Sequence, residues 1–150
     1  MKIFNTEFEV SMRILILLSK CKNALDEEKI LYLDYFTIYS KNYGFNDDNA
    51  NGDGTFMIND LSSQKVLIKN SLKELVLQGF VKVQNTNQGF LYLINDDGLE
   101  ICEKMSSDYS KEYKECATQI ANKFYNKSIA EIKKYAKQKE EEFENALHQN

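Results

Sequence analysis

The chain has no proline, one histidine, three cysteines and six glycines in 150 residues. Each scarcity excludes something. Without proline nothing in the sequence forces a helix to break, so long uninterrupted helices are permitted. The single histidine, His148, stands beside the C-terminal end, where a helix frays, and this nearly excludes hydrolysis or group transfer built on histidine. Cys21, Cys102 and Cys116 are odd in number and far apart, with no CxxC pair, so they are expected to be reduced, buried small hydrophobes. Neither a P-loop nor a GxGxxG motif is present, so no nucleotide cradle can be named. The acidic pairs Asp47-Asp48 and Asp96-Asp97 fall at a loop and at a helix start, where turn formation and capping account for them. No catalytic residue, cofactor or metal is therefore assigned, and an enzyme is the last of three function classes.

Long apolar runs are also missing. The longest, Ile14 to Leu18, is far below the roughly 20 residues of a membrane span. No basic-then-apolar leader opens the chain, and the expectation is a cytoplasmic protein without membrane contact. The length suits one main domain with a real core plus an appendage.

The most informative stretch runs from Asp60 to Lys104. Ile68, Leu72, Leu75 and Val76 share one side of a 3.6-residue helix. Gly79 suits the left-handed end of that helix. Phe80 to Gln84 and Phe90 to Ile94 are β-branched or aromatic runs fit for strands, joined by a polar five-residue loop, Asn85 to Gly89. Asn95 or Asp96 can cap the next helix. This is the order of a winged helix, with the wing at about 80–95. Winged helices mostly bind DNA or other proteins, which turns the question from a reaction to a partner.

Net charge is −4, which argues against general coating of nucleic acid. It is unevenly spread: Lys plus Arg against Asp plus Glu is 6 to 9 over residues 1–56, 4 to 2 over 57–95 and 9 to 12 over 96–150. Within the one basic block Lys65, Lys69 and Lys73 lie at i, i+4 and i+8. With Lys82 and Asn87 on the wing they are the candidate contacts for nucleic acid or an acidic partner. An ordinary solvated helix face explains the row equally well.

Ahead of this block, Thr6 and Glu9 form a capping box for a first helix with Phe8, Met12, Leu15 and Leu18 as apolar positions. Val10, Ile14, Ile16 and Leu17 make that helix apolar nearly all round, so it is expected to be central or half covered by a partner. A second helix is predicted from after Asp26 to Gly44, with Glu27 and Glu28 favouring its N-terminal dipole. It carries an aromatic row, Tyr32, Tyr35, Phe36, Tyr39 and Tyr43. Such rows are more often core, but tyrosine is enriched at binding hot spots, so Tyr32, Tyr35, Tyr39 and Tyr43 are kept as a candidate partner interface.

Residues 46–56 form an Asn-, Asp- and Gly-rich loop. With Asn49 at position one of a calcium loop, Asn51, Asp53, Gly54, Phe56 and Asp60 take the third, fifth, sixth, eighth and twelfth places. Asn at the first place and Asp rather than Glu at the twelfth leave too few ligand charges for more than weak binding, and the loop is taken as a polar linker. From Leu99 the chain reads as helical to its end. Tyr109, Tyr113, Cys116, Ile120 and Phe124 make one stripe, which Ile129, Ile132, Ala136, Phe143 and Leu147 continue less regularly. The part to about Phe124 is expected to pack on the preceding helices and Lys137 to Glu144 to be solvated. The expected architecture is mainly α with a small β-hairpin. A helical N-terminus plus winged helix occupies 1–106, and a C-terminal helical extension occupies 107–150.

Three blocks carry a family resemblance: Phe4-Asn5-Thr6-Glu7-Phe8-Glu9-Val10-Ser11-Met12-Arg13-Ile14-Leu15, Leu33-Asp34-Tyr35-Phe36-Thr37-Ile38-Tyr39-Ser40-Lys41, and Leu72 to Val81. Over about residues 3–115 the sequence resembles the middle component of ABC-three-component systems, the Lamassu-type bacterial anti-phage systems. The resemblance implies a small non-catalytic subunit of an SMC-like coiled-coil ATPase complex in anti-phage or anti-plasmid defence, bridging the ATPase head, DNA and an effector such as a nuclease. It transfers no catalytic residue. The alternative is a stand-alone winged-helix transcription regulator, favoured by the lysine row.

Overall fold

The computed structural model describes residues 6–40 and 61–148. Their elements are α1 (Glu7–Lys20), α2 (Glu27–Ile38), α3 (Leu61–Leu77), β1 (Val81–Thr86), β2 (Gly89–Ile94), α4 (Asp96–Lys104), α5 (Asp108–Phe124) and α6 (Ile129–His148). The expected class, mainly helical with a small antiparallel hairpin, holds.

Thr6 begins α1 by accepting from the Glu9 N–H at 3.2 Å. Val10 and every residue from Arg13 to Leu18 are buried, and the helix is central, touching α2, α3, α4 and α5. Full burial of each aliphatic side chain there contributes about 1.5–3 kcal/mol. Phe8 departs from the expected apolar face: it lies in the first turn and is 72 % exposed. Asp26 caps α2 through the Lys29 N–H at 2.7 Å. That helix ends at Ile38, short of the expected Gly44, with Tyr39 as its C-cap. Tyr43, Gly44 and the 46–56 loop with its calcium-like register lie outside the described residues.

On α3, Ile68, Leu72 and Leu75 face the core as expected, while Val76 is only partly buried. Gly79, at φ 82°, ends the helix. Its N–H reaches the Val76 carbonyl and the Phe80 N–H the Leu75 carbonyl, at 3.1 and 3.0 Å. This Schellman pattern needs the left-handed conformation that glycine adopts without strain. The hairpin is longer and its turn tighter than the expected five-residue loop: the ladder runs from Val81↔Ile94 to Thr86↔Gly89, leaving Asn87 and Gln88 as the turn. Neither has positive φ, and the twist the strands require falls on Gly89, at φ 104°. Asn95 then caps α4 through the Gly98 N–H at 2.8 Å.

Helix does not continue unbroken after Leu99. Ser107 starts α5 by accepting from the Ser110 N–H at 3.1 Å. Ser128 starts α6 in a reciprocal pair: its hydroxyl accepts from the Glu131 N–H at 3.1 Å, and its own N–H donates to the Glu131 carboxylate at 3.2 Å. Capping residues thus provide the breaks that no proline supplies. The expected stripe on α5 is buried at Tyr113, Cys116, Ile120 and Phe124, in one core cluster with α1 and α2. Helix α6 adds Ile132 and Ala136 to that core, and Phe36, Phe124 and Tyr135 meet edge-on or tilted at 5.1–5.7 Å. Beyond Ala136 the side chains of Lys137, Gln138, Glu141, Glu142 and Glu144 are exposed.

A buried polar knot ties four helices together. Arg13 on α1 donates from Nε and Nη2 to the two carboxylate oxygens of Asp34 on α2, at 3.0 and 3.2 Å, and from Nη2 to Gln64 on α3 at 3.4 Å. The Tyr113 hydroxyl on α5 donates to Asp34 at 2.7 Å. Arg13 and Tyr113 are fully buried and Asp34 is 1 % exposed. Burial alone would lower the Arg13 pKa. The charge and hydrogen bonds of Asp34 outweigh it and raise the value, so the guanidinium stays charged. Burial pushes the Tyr113 phenol up, and the adjacent carboxylate pushes it further, which keeps the phenol a donor.

Candidate interface groove

The outer side of α3, the N-terminal turn of α2 and one face of the hairpin enclose a groove of about 1010 Å³. Its position follows from the strand alternation. Val81 and Ile94 pair at the base of the hairpin against the core, and the same face continues outward through Val83 and Tyr92 to Phe90. The hairpin outruns the core it packs on, so this outer part lines the groove instead. Across from it, the row Lys65, Lys69 and Lys73 runs along one wall of α3, with Val76 and Leu77 at its C-terminal end.

Large apolar side chains stand exposed in this lining beside its charges. Leu77 is 72 % exposed, Phe90 56 % and Val83 43 %. Single exposed apolar residues need no explanation, but several converging on one concavity mark an interaction site.

The charges on the two walls differ in how they are engaged. Among the described residues no ion pair involves Lys65, Lys69 or Lys73. On the α2 wall, Asp26 is occupied as a helix cap, and Glu28 pairs with Lys133 of α6. The hydrogen bond to Glu28 raises the Lys133 pKa, and burial followed by the charge of Glu27 raises that of Tyr92. Among the described residues the lining carries Lys65, Lys69, Lys73 and Lys133 against Asp26, Glu27 and Glu28, with its positive charge gathered on the α3 wall.

The structure gathers some of the predicted site residues and separates others. Lys65, Lys69 and Lys73 line the groove together. Lys82 pairs across from Leu93 on the opposite face of the hairpin, and of the two turn residues Gln88 lines the groove while Asn87 does not, so neither Lys82 nor Asn87 joins the lysine row there. The tyrosine row also divides. Tyr32 is partly buried and lines the groove, whereas Tyr35 and Tyr39 are 1 % and 4 % exposed, with ring centroids 4.9 Å apart. Those two belong to the core, because α2 is covered by α1, α3 and α5 on the side that carries them. Cys102 and Cys116 are buried, as expected of small hydrophobes, and Cys21 is half-buried at the end of α1.

Two features went unread in the sequence. Val83 and Phe90 read only as strand formers and Leu77 has no assigned face, although Leu77 lies off the Ile68–Leu72–Leu75 stripe and Phe90 stands at the far end of its strand. The Arg13–Asp34 knot had a signal too, since each charge interrupts an otherwise apolar segment.

Among the described residues no cluster of His, Cys, Asp or Glu could hold a metal ion, and no helix is long and apolar enough to cross a membrane. No curated protein and no solved structure matches the chain. A family model does: ABC-three component (ABC-3C) system Middle Component 2, over residues 3–146. That match takes in all three blocks of the resemblance together with the groove and the buried knot, and the chain belongs to this family of middle components.

Proposed function

We propose that the protein is a non-catalytic accessory subunit of a Lamassu-type defence complex, joining the head of an SMC-like coiled-coil ATPase to DNA and to an effector such as a nuclease. Membership of a three-component family implies partner proteins. The observation that carries the reading further is the groove: an apolar, lysine-walled concavity on a chain in which no catalytic constellation was found in the sequence.

The frame that presents the groove supports a winged helix. Between α1 and α2, Leu25 forms a one-residue bridge with Tyr92: its N–H donates to the Tyr92 carbonyl at 3.0 Å, and the Tyr92 N–H donates back at 2.7 Å. Among the described residues helix, single-residue strand, helix, helix and hairpin follow in the winged-helix order, which supports reading α3 as the recognition helix and the hairpin as the wing. Coexpression with the products of the neighbouring genes, followed by pull-down, tests the proposal. Co-purification of a coiled-coil ATPase is expected, and its absence would sink the reading.

The lysine row on α3, which makes no ion pair among the described residues, favours a second reading, a stand-alone DNA-binding regulator. Such a protein would shift a specific DNA probe by itself, with an affinity that falls steeply with salt. The placement of Lys82 on the other face of the hairpin and the net charge of −4 weigh against it.

A further inference from the structure

The groove contains enough chemistry to say what kind of element fills it. Its hairpin side and the end of α3 offer Phe90, Val83 and Leu77, which a hydrated phosphate backbone would leave exposed but the apolar stripe of a helix would cover. Lys65, Lys69 and Lys73 are spaced by one helical turn each, so their row spans about 12 Å. Carboxylates at the same spacing on a second helix would meet all three. The lining carries Lys65, Lys69, Lys73 and Lys133 against Asp26, Glu27 and Glu28, and the positive side is gathered on the α3 wall because the three carboxylates stand on the α2 wall, where Glu28 is paired with Lys133. Duplex DNA fits less well: it would meet the apolar lining, and it would find neither Lys82 nor Asn87 beside the lysine row.

We infer that the groove receives an amphipathic helix of a partner protein, its apolar stripe on Phe90, Val83 and Leu77 and its row of carboxylates on Lys65, Lys69 and Lys73. This rests on the accessory-subunit reading for its biological setting, but not for its test.

The probes are two labelled helical peptides of about 20 residues, or roughly 30 Å, with the same leucine stripe. One has glutamates flanking the stripe and the other has lysines. Binding to the full chain is measured by fluorescence anisotropy, with a short DNA duplex as competitor. The glutamate peptide is expected to bind at least about tenfold more tightly than the lysine peptide, and K65E/K69E/K73E to invert that order. Phe90→Asp should weaken the glutamate peptide about tenfold. All four positions are exposed, so unchanged circular dichroism and Tm separate lost binding from lost fold.

Equal binding of the two peptides, or indifference to the triple reversal, would overturn the inference. So would displacement of the peptide by DNA at comparable concentration, which assigns the groove to phosphate. A dimer in sedimentation that Phe90→Asp dissolves would assign it to a second copy of the chain. Failure to capture an ATPase refutes the accessory reading alone, because the peptide result does not depend on it.

Discussion

Arg13→Met is the sharpest test of the buried knot. The substitution keeps an unbranched side chain of nearly the same reach and removes the guanidinium. Asp34, at 1 % exposure, keeps only the Tyr113 hydroxyl at 2.7 Å of the partners described, and Gln64 loses the donor at 3.4 Å. Breaking a buried ion pair from one side costs about 3–5 kcal/mol, mainly because the remaining charge is desolvated without compensation. Against a total stability of about 5–15 kcal/mol this is a large share. With a urea slope of about 2 kcal/mol per molar, the unfolding midpoint should fall by about 2 M. The matched variant R13M/D34L/Y113F removes both charges and the orphaned hydroxyl, and it should recover most of that loss. A shift under about 0.5 M for Arg13→Met would mean that Asp34 finds water or another donor, and the knot would not be sealed. A triple variant as unstable as the single one would place the effect in the packing of the arginine stem.

Three further outcomes follow from local geometry. A Cβ added at Gly98 would lie 2.5 Å from the Phe80 carbonyl oxygen and 2.6 Å from the Ile94 Cγ1. Gly98→Ala should therefore lower stability by about 1–3 kcal/mol in thermal unfolding, opposite in sign to the usual gain from alanine in a helix. Burial raises the Cys21 thiol from an ordinary 9.0 to about 11. At pH 8 its thiolate fraction should be about a hundredfold below that of an ordinary thiol and its iodoacetamide rate at least about tenfold lower, since the more basic thiolate is also the better nucleophile, as peptide mass spectrometry can read. Burial likewise pushes Tyr135 from 10.0 to about 12, so the unfolded chain gives up that proton first. This contribution to stability is complete below pH 10 and is lost as pH rises towards 12. The urea midpoint should decline through that window, less steeply in Tyr135→Phe.

The sequence was most legible where a single local rule decides the outcome. Thr6, Asp26 and Gly79 each mark a helix end by a side-chain oxygen or a left-handed glycine, and each does so in the structure; of the two candidates Asn95 and Asp96 for α4, Asn95 is the cap. The apolar stripe of α3 and the aromatic and small stripe of α5 were legible for the same reason. What escaped was set by neighbours in space. Tyr35 and Tyr39 resemble Tyr32 in sequence, and only the covering helices distinguish core from groove. Strand alternation alone would have separated Lys82 from Val83, but it could not say which face outruns the core. The breaks before α5 and α6 rest on Ser107 and on the Ser128–Glu131 pair, which the absence of proline had hidden from view.

The knot and the groove meet α3 on neighbouring flanks, since Gln64 and Lys65 stand about 100° apart around the helix and Ile68 both packs in the core and borders the groove. Gln64, Ile68, Leu72 and Leu75 hold α3 inward, while Lys65, Lys69 and Lys73 occupy its outward positions. One turn of the helix thus carries both Gln64, hydrogen-bonded to Arg13, and Lys65, which meets the groove. Arg13 and Asp34 also stand within the first two blocks of the resemblance. A loosened knot should therefore shift the lysine wall against the hairpin, while a groove variant such as K65E/K69E/K73E should leave the knot untouched. The coupling is one-directional in stability and visible in binding: Arg13→Met should weaken the acidic helical peptide even at temperatures where the chain remains folded, whereas the charge reversal should abolish binding at full stability. Unchanged peptide affinity in folded Arg13→Met would show that α3 is positioned by its apolar contacts alone, and would confine the knot to a role in stability.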